Sequence, residues 1–134
     1  MGRKGVNVVK LSQLMIIKAL VTLIFGVGFV LVPKAVMSLY GVTLDPAGAM
    51  MTQFVGATFL LLSIVLWLAR NAPYSEVTLR ALVLAIVIGD TIGFIVALLA
   101  QLSGVLNALG WLNVALWLLL ALGFGYIRFV KKAA

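Results

Sequence analysis

The sequence VTLRALVLAIVIGDTIGFIVALLAQ, residues 77–101, is the stretch that decides the fold. After Arg80 it contains a single charged residue, Asp90, within an apolar run. About 20 apolar residues in a helix cross the ~30 Å hydrocarbon core of a bilayer. At ~1.5 Å per residue, Asp90 lies ~15 Å beyond Arg80 along the helix axis. We therefore predict a membrane-spanning helix that carries an acidic side chain near mid-membrane.

The composition of the whole chain predicts a membrane protein. Of the 134 residues, 65% are hydrophobic and 10% are charged, whereas a soluble domain has roughly 45–50% apolar and ~25% charged residues. The length predicts one domain, residues 1–134. Cysteine and histidine are absent, which excludes disulfides, thiolate chemistry and the usual zinc and haem ligands. We expect no cofactor, no metal and no enzymatic activity, because no nucleophile elbow or phosphate-binding loop is present either.

Three further apolar runs complete the predicted fold, an all-α membrane protein with an antiparallel bundle of four transmembrane helices. Pro33 ends the first run and begins a short surface helix at residues 33–40. Asp45 precedes a proline in the N-cap and N1 pattern that begins the second span, and Ser75 is the expected N-cap of the third. The predicted spans are residues 13–32, 47–69, 77–101 and 109–129.

The basic residues predict the orientation of this bundle. Lys and Arg are enriched in cytoplasmic loops, and Lys34 is the one basic residue in a loop predicted to face outward. Both termini are therefore expected in the cytoplasm, and the chain in the inner (cytoplasmic) membrane as a multi-pass protein. The net charge of +7 is assigned to topology and to contact with anionic lipids, and no nucleic-acid partner is expected. The predicted cytoplasmic residues are Arg3, Lys4, Lys10, Lys18, Arg70, Arg80, Arg128, Lys131 and Lys132.

A stripe of small residues follows one face of the third span. Such residues recur there at every fourth position, and stripes of this kind let two helix backbones approach closely in lipid. We predict packing against neighbouring helices, with a contact between subunits as an alternative for part of the stripe. Glycines in the first and second spans are expected to act in the same way. The predicted packing residues are Ala81, Ala85, Gly89, Gly93 and Ala97, together with Gly26 and Gly56.

Asp90 is the principal candidate site residue. A charge in mid-membrane is costly unless it is paired, protonated or facing water, and it commonly marks a functional site. Lys18 lies about one to two turns nearer the cytoplasmic side, and it either pairs with Asp90 or extends to the inner headgroups. A protonated Asp90 would instead fix helix register through a hydrogen bond to a nearby polar group. The candidates for that bond are Gln53, Thr58, Ser63 and Thr91.

Amide side chains and one tryptophan lie in the outer parts of the last two spans. Gln101, Asn107 and Asn113 are expected to satisfy backbone groups of the short turn rather than to bind a ligand. Trp117 lies too deep in the fourth span for the aromatic belt at the membrane surface. We expect it to be a packing residue, against a partner or a pigment-like group, rather than an interfacial anchor.

Several short motifs are distributed along most of the chain. A basic first span with Gly26-Val27-Gly28-Phe29 is followed by Pro33, Leu39-Tyr40-Gly41, Gly56-Ala57, Arg70 and Arg80. In these features the chain resembles small uncharacterised bacterial four-helix integral membrane proteins, which are classed as domains of unknown function. The resemblance implies the four-helix fold, and it implies no activity and no functional residue.

Three functions are compatible with these patterns. The leading prediction is a non-enzymatic accessory or structural subunit that packs against other membrane proteins or against itself, because the short loops leave little chain to act in water. The second is a small oligomeric ion or proton-coupled transporter or channel that uses Asp90. The third is a binder of lipid or another hydrophobic ligand, with a cavity between helices around Asp90 and Trp117.

Overall fold

The computed structural model describes residues 2–131, with side chains described for residues 11–130, and this part of the chain is helical without strands. The helices are α1 (Gly2–Leu31), α2 (Pro33–Leu39), α3 (Pro46–Ala69), α4 (Val77–Leu102) and α5 (Gly110–Gly125), and a π-helical segment, Tyr126–Lys131, continues α5. Within the described chain, four stretches are long and apolar enough to cross a membrane, which confirms the predicted all-helical membrane fold. These spans are Leu11–Leu31, Pro46–Ala69, Val77–Leu102 and Gly110–Val130.

The helix boundaries agree with the sequence patterns at α3 and differ from them at α1 and α4. Asp45 is the N-cap of α3, and its carboxylate accepts a hydrogen bond of 2.7 Å from the backbone N–H of Gly48. The N-cap of α4 is Glu76, without a side-chain capping bond, so the predicted cap at Ser75 is wrong by one position. Helix α1 extends back to Gly2, because no proline interrupts the segment before residue 13.

Helices α1 and α3 pack closely through two of the predicted glycines. A Cβ added at Gly56 would lie 2.8 Å from Phe29 Cβ and 2.9 Å from the carbonyl oxygen of Gly26. A Cβ at Gly26 would lie 2.9 Å from the Leu60 side chain and 3.0 Å from the carbonyl oxygen of Gly56. Real Cβ atoms do not approach a backbone atom as closely as 2.9 Å, so the contact requires glycine at position 56, whereas a side chain at position 26 would displace Leu60.

Polar side chains of α3 also bind carbonyl groups of α1. Ser63 Oγ donates a hydrogen bond of 2.7 Å to the Ala19 carbonyl, and Gln53 Nε2 donates one of 3.0 Å to the Val30 carbonyl. Ala19 pairs with Ser63, and Val30, further along α1, pairs with Gln53, which comes earlier in α3. The two helices therefore run in opposite directions along this contact. These bonds satisfy polar groups that lipid cannot satisfy.

Helices α4 and α5 form the second closely packed pair. Gly93 lies against the Trp117 indole, where an added Cβ would overlap the ring. Ala97 is buried on the same face of α4. These two members of the small-residue stripe therefore contact a neighbouring helix of the same chain.

The rest of that stripe does not pack against the residues whose side chains are described. Ala81, Ala85 and Gly89 are exposed on α4, and no atom lies within 4 Å of a Cβ built at Gly89. The prediction that these residues pack against another helix of the bundle is therefore wrong. The physical reason is that α5 covers the face of α4 that carries Asp90, and the stripe turns away from that face towards the N-terminal end of the helix.

The packed half of the bundle is the end at which all four spans meet in one core. Its side chains come from the N-terminal parts of α1 and α4 and from the C-terminal parts of α3 and α5. By the distribution of basic residues, this is the predicted cytoplasmic half. The buried members of this core are Leu11, Met15, Ala19, Leu66, Leu79, Val83, Ile86, Leu120, Phe124 and Ile127.

At the opposite end, hydrogen bonds join the segment after α2 to the turn between α4 and α5. Asn107 donates from its backbone N–H to the Tyr40 carbonyl and from Nδ2 to the Leu39 carbonyl, both at 2.9 Å. The Tyr40 hydroxyl donates to Asn113 Oδ1 at 3.0 Å. Burial raises the pKa of the Tyr40 phenol above its ordinary value. Gln101 Nε2 donates to the Asn107 carbonyl at 3.1 Å.

Candidate functional site

A buried ion pair links the two closely packed helix pairs. Lys18 on α1 donates a hydrogen bond from Nζ to Asp90 Oδ1 on α4 over 2.6 Å. Both side chains are 3% exposed, so Lys18 does not extend to the headgroups, and the snorkelling alternative is wrong. The pair joins residues that are 72 positions apart in the chain. No second ion pair is found among the residues whose side chains are described.

Because the pair is buried in a medium of low dielectric constant, each of the two charges is stabilised mainly by the other. Removing one partner of a buried pair leaves an uncompensated charge and costs about 3–5 kcal/mol, whereas replacing both by apolar residues is often neutral. Asp90 Oδ2 is buried and has no hydrogen-bond partner among the described residues. One carboxylate oxygen is therefore satisfied by Lys18 and the other is not.

Trp117 lies beside the ion pair and connects it to a row of aromatic rings. Lys18 Nζ is 5.5 Å from the centroid of the Trp117 ring, within the range of a cation–π contact. The Trp117 centroid is 6.3 Å from that of Phe59, which is 5.9 Å from that of Phe29. Phe25 continues the row, with its centroid 5.7 Å from that of Phe29. Trp117 therefore packs within its own chain, and its predicted packing against a partner or a pigment-like group stays a prediction.

The aromatic row lines a cavity between α1, α3 and α5. Its volume is about 230 Å³. We call the part of the bundle around it the cavity half, defined by the lining residues Lys18, Phe25, Phe29, Phe59, Asn113 and Trp117. The ion pair therefore lies where the packed half ends and the cavity half begins, since Lys18 follows Met15 by one helical turn.

The other polar residues predicted to serve Asp90 bind backbone carbonyl groups instead. Thr91 donates to the Val87 carbonyl at 2.7 Å, and Thr58 donates to the Phe54 carbonyl at 3.0 Å. Both are bonds to the residue four positions earlier in the same helix, a common arrangement for Thr in helices. Thr91, Thr58 and Gln53 are exposed, and Ser63 binds α1. The predicted hydrogen bonds from these residues to Asp90 are therefore wrong.

Most of the cavity-lining residues were not predicted from the sequence. Thr22, Phe25 and Phe29 lie on the same face of α1 as Lys18, at spacings of four, seven and eleven residues. That spacing places side chains along one stripe of a helix. Aromatic residues in register with the one lysine of this span are the signal that could have identified the lining.

No cluster of three or more His, Cys, Asp or Glu side chains that could bind a metal ion occurs in the described part of the chain.

No protein-family model, curated protein or solved structure matches this chain. The resemblance to small bacterial four-helix membrane proteins therefore stays a prediction, and the function must be argued from the chain itself.

Proposed function

We propose that this chain is a non-enzymatic subunit of the inner (cytoplasmic) membrane that packs against another membrane protein or a second copy of itself. The observation that supports this function is the exposed small-residue face of α4, which consists of Ala81, Ala85 and Gly89. Lipid tails are as apolar as the helices, so association in a bilayer depends on close packing, and small residues permit it.

A second copy is the partner that this face fits best. Two copies related by a two-fold axis would present the same three residues to each other, and such a contact is self-complementary. Gly89 has no atom within 4 Å of its Cβ position, so a second helix could approach there to backbone distance. Gly26 and Gly56 already make a contact of this kind between α1 and α3.

For the arrangement in the membrane, we propose an antiparallel bundle with both termini in the cytoplasm. The distribution of Lys and Arg supports this orientation, because Lys34 is the one basic residue at the other side. The basic cytoplasmic ends would then contact anionic lipid headgroups.

Cross-linking through single cysteines tests the subunit contact directly, since the natural chain contains no cysteine. The test variant is Ala85→Cys, and the matched control is Ala57→Cys, because Ala57 is an exposed alanine within α3. A disulfide needs Cα atoms within about 7 Å. In native membranes under mild oxidation, Ala85→Cys should give a cross-linked dimer and Ala57→Cys should not.

Two outcomes would count against this contact. Equal yields for Ala85→Cys and Ala57→Cys would mean random collision in the membrane. An uncross-linked Ala85→Cys that reacts with a lipid-soluble maleimide as readily as Ala57→Cys would mean that the face contacts lipid alone. Either result would remove the structural support for a packing subunit.

A second candidate, an oligomeric proton-coupled transporter or channel, draws support from Asp90. Its Oδ2 atom is buried and has no hydrogen-bond partner in the described part of the chain, and intramembrane acids commonly belong to proton relays. Proton flux into liposomes that contain the purified protein tests this candidate. Asp90→Asn should abolish the flux and Thr91→Val, one residue away on the exposed face, should preserve it; no flux above empty liposomes would exclude the candidate.

A further inference from the structure

We propose that the cavity beside the ion pair is a binding site for an uncharged, ring-shaped molecule dissolved in the membrane that carries carbonyl groups, of which a small benzoquinone is the simplest representative. This site is separate from the exposed face of α4. The size of the cavity, its aromatic walls, its hydrogen-bond donors and the charge of the ion pair all favour such a ligand.

The size of the cavity matches a single substituted ring. A cavity of about 150 Å³ in a protein interior is large enough to hold benzene, and drug-sized ligands occupy clefts of about 300–1,000 Å³. The volume here, about 230 Å³, lies between these values. A ring with several small substituents has about this volume, whereas a whole lipid is much larger.

The walls of the cavity favour an aromatic or quinoid ring. Phe25, Phe29, Phe59 and Trp117 all line it, with neighbouring centroids between 5.7 and 6.3 Å apart. Planar rings gain from offset or edge-to-face contacts with aromatic side chains beyond the burial of area. A flexible acyl chain would fill the same volume without gaining those contacts.

The hydrogen-bond donors at the cavity favour a ligand with acceptors. The Lys18 ammonium has three N–H groups, and within the described chain one of them is bonded, to Asp90. Lys18 lines the cavity, and its Nζ is 5.5 Å from the ring of Trp117, which lines it too. Asn113 is a second polar residue of the lining; its Oδ1 accepts the Tyr40 hydroxyl, which leaves its amide N–H groups as donors for a second acceptor.

The charge of the pair decides between a neutral and an anionic ligand. Asp90 already neutralises Lys18 at 2.6 Å. An added anion would leave one net negative charge in a low-dielectric site, which is costly. A carbonyl oxygen accepts hydrogen bonds without adding charge, so a neutral carbonyl compound matches the site better than a fatty-acid carboxylate does.

Fluorescence of Trp117 provides a direct measure of occupancy. The full chain in lipid nanodiscs, with Trp67→Phe and Trp111→Phe, reports on Trp117 alone, and duroquinone, a neutral tetramethylbenzoquinone that quenches tryptophan, is the probe. Quenching should saturate with increasing duroquinone in the bilayer. The control retains Trp111 and carries Trp67→Phe and Trp117→Phe; Trp111 is 50% exposed, so its quenching should rise without saturation.

Two matched comparisons identify the site and the chemistry. Val55→Phe narrows the cavity, whereas Val65→Phe adds the same ring elsewhere on α3; both valines are partly exposed, at 44% and 38%, and Val55 alone of the two lines the cavity. Val55→Phe should weaken duroquinone binding at least ~tenfold and Val65→Phe should not, because only the first variant fills part of the cavity.

Durene, the same methylated ring without carbonyl groups, serves as a competitor. Durene should bind at least ~tenfold more weakly than duroquinone, because a tenfold difference is about the free energy of one hydrogen bond to a charged donor.

Four results would overturn the proposal. Quenching of Trp117 that rises like that of Trp111 would mean simple partition into lipid. An unchanged affinity in Val55→Phe would place the probe elsewhere. Equal competition by durene would reduce the site to an apolar slot, and stronger competition by tetramethylbenzoate than by duroquinone would make it an anion site. The double variant Lys18→Met with Asp90→Leu adds a check: its preference for duroquinone over durene should be smaller than that of the natural chain, since the Asn113 amide is the donor that remains. If the double variant does not fold, the competition between duroquinone and durene in the natural chain decides.

Discussion

The packed half and the cavity half of this bundle hold the same four helices together in different ways. In the packed half, apolar side chains from all four spans fill one core, with Phe124 and Met15 fully buried. In the cavity half, the helices meet through glycine contacts, a few hydrogen bonds and an ion pair, around an open volume of about 230 Å³. The difference indicates that the first half provides stability and the second has room for a ligand. The predictions below test that division.

Breaking the ion pair is expected to have the largest effect, because it lies at the junction of the two halves. Asp90→Leu leaves the Lys18 ammonium buried without a counter-charge and should cost about 3–5 kcal/mol of unfolding free energy. Lys18→Met with Asp90→Leu should recover most of that loss. Chemical unfolding in mixed micelles, followed by far-UV circular dichroism, measures both. If the single variant were as stable as the natural chain, the ion pair would not hold the two helix pairs together.

A core truncation is expected to cost more in the packed half than in the cavity half. Phe124→Ala should cost about 2–3 kcal/mol, below the ~3–5 kcal/mol typical of Phe→Ala in water-soluble cores, because lipid removes the solvent-transfer part of the penalty. Phe59→Ala should cost about 1 kcal/mol, since its ring already borders a cavity and has fewer packing partners. The same unfolding measurement compares them, and equal costs would contradict the division.

The glycine contacts of the cavity half should differ according to what faces each glycine. Gly56→Ala should cost about 2 kcal/mol, because the added methyl group meets the backbone of α1, which cannot move aside. Gly93→Ala should cost less, since the Trp117 indole can shift towards the cavity. Gly89→Ala, with no atom within 4 Å, is the control and should be neutral in the monomer. Thermal melting of the three variants ranks their losses of stability. A larger loss for Gly93→Ala than for Gly56→Ala would mean that the Trp117 indole cannot shift towards the cavity.

The hydrogen bonds at the far end of the cavity half should contribute the smallest effect. Asn107→Ala removes two side-chain bonds, one donated to the Leu39 carbonyl and one accepted from the Leu109 backbone N–H, and should cost about 1 kcal/mol because both bonds are exposed. Its backbone bond to the Tyr40 carbonyl remains. Hydrogen exchange of the backbone near Tyr40 should speed up in the variant, while exchange in the packed half should stay unchanged. An equal increase of hydrogen exchange in both halves would show that the two ends of the bundle do not unfold independently.

The sequence predicted those features that depend on rare residue types. Charged residues within spans are few, so the sequence offered Lys18 as the basic partner of Asp90, but it left open whether Lys18 extends to the headgroups instead. Hydropathy also predicted four spans, because lipid requires long apolar helices. Thr91 and Gln53 could not be placed, since a hydroxyl or amide finds a nearby carbonyl as easily as a distant carboxylate.

The small-residue stripe and the cavity were less accessible from the sequence. Spacing shows that Ala81 and Ala97 share a stripe, but it does not show which neighbour covers each part of it. The cavity is a volume that side chains leave unfilled, and it depends on how far α5 lies from α3. Neither quantity is encoded by the periodicity of any single helix.

The separation of 72 positions between Lys18 and Asp90 has a consequence for biosynthesis. Chains emerge from the ribosome N-terminal end first, so the first two spans enter the bilayer with a lysine whose counter-charge has not yet been synthesised. A nascent chain halted before residue 77 therefore contains Lys18 in the membrane without its acidic partner. Membrane quality control could recognise this unpaired lysine. We expect such a truncated chain to be degraded faster than the same chain with Lys18→Met, as pulse-chase labelling would measure; equal lifetimes would show that completion of the ion pair is not monitored.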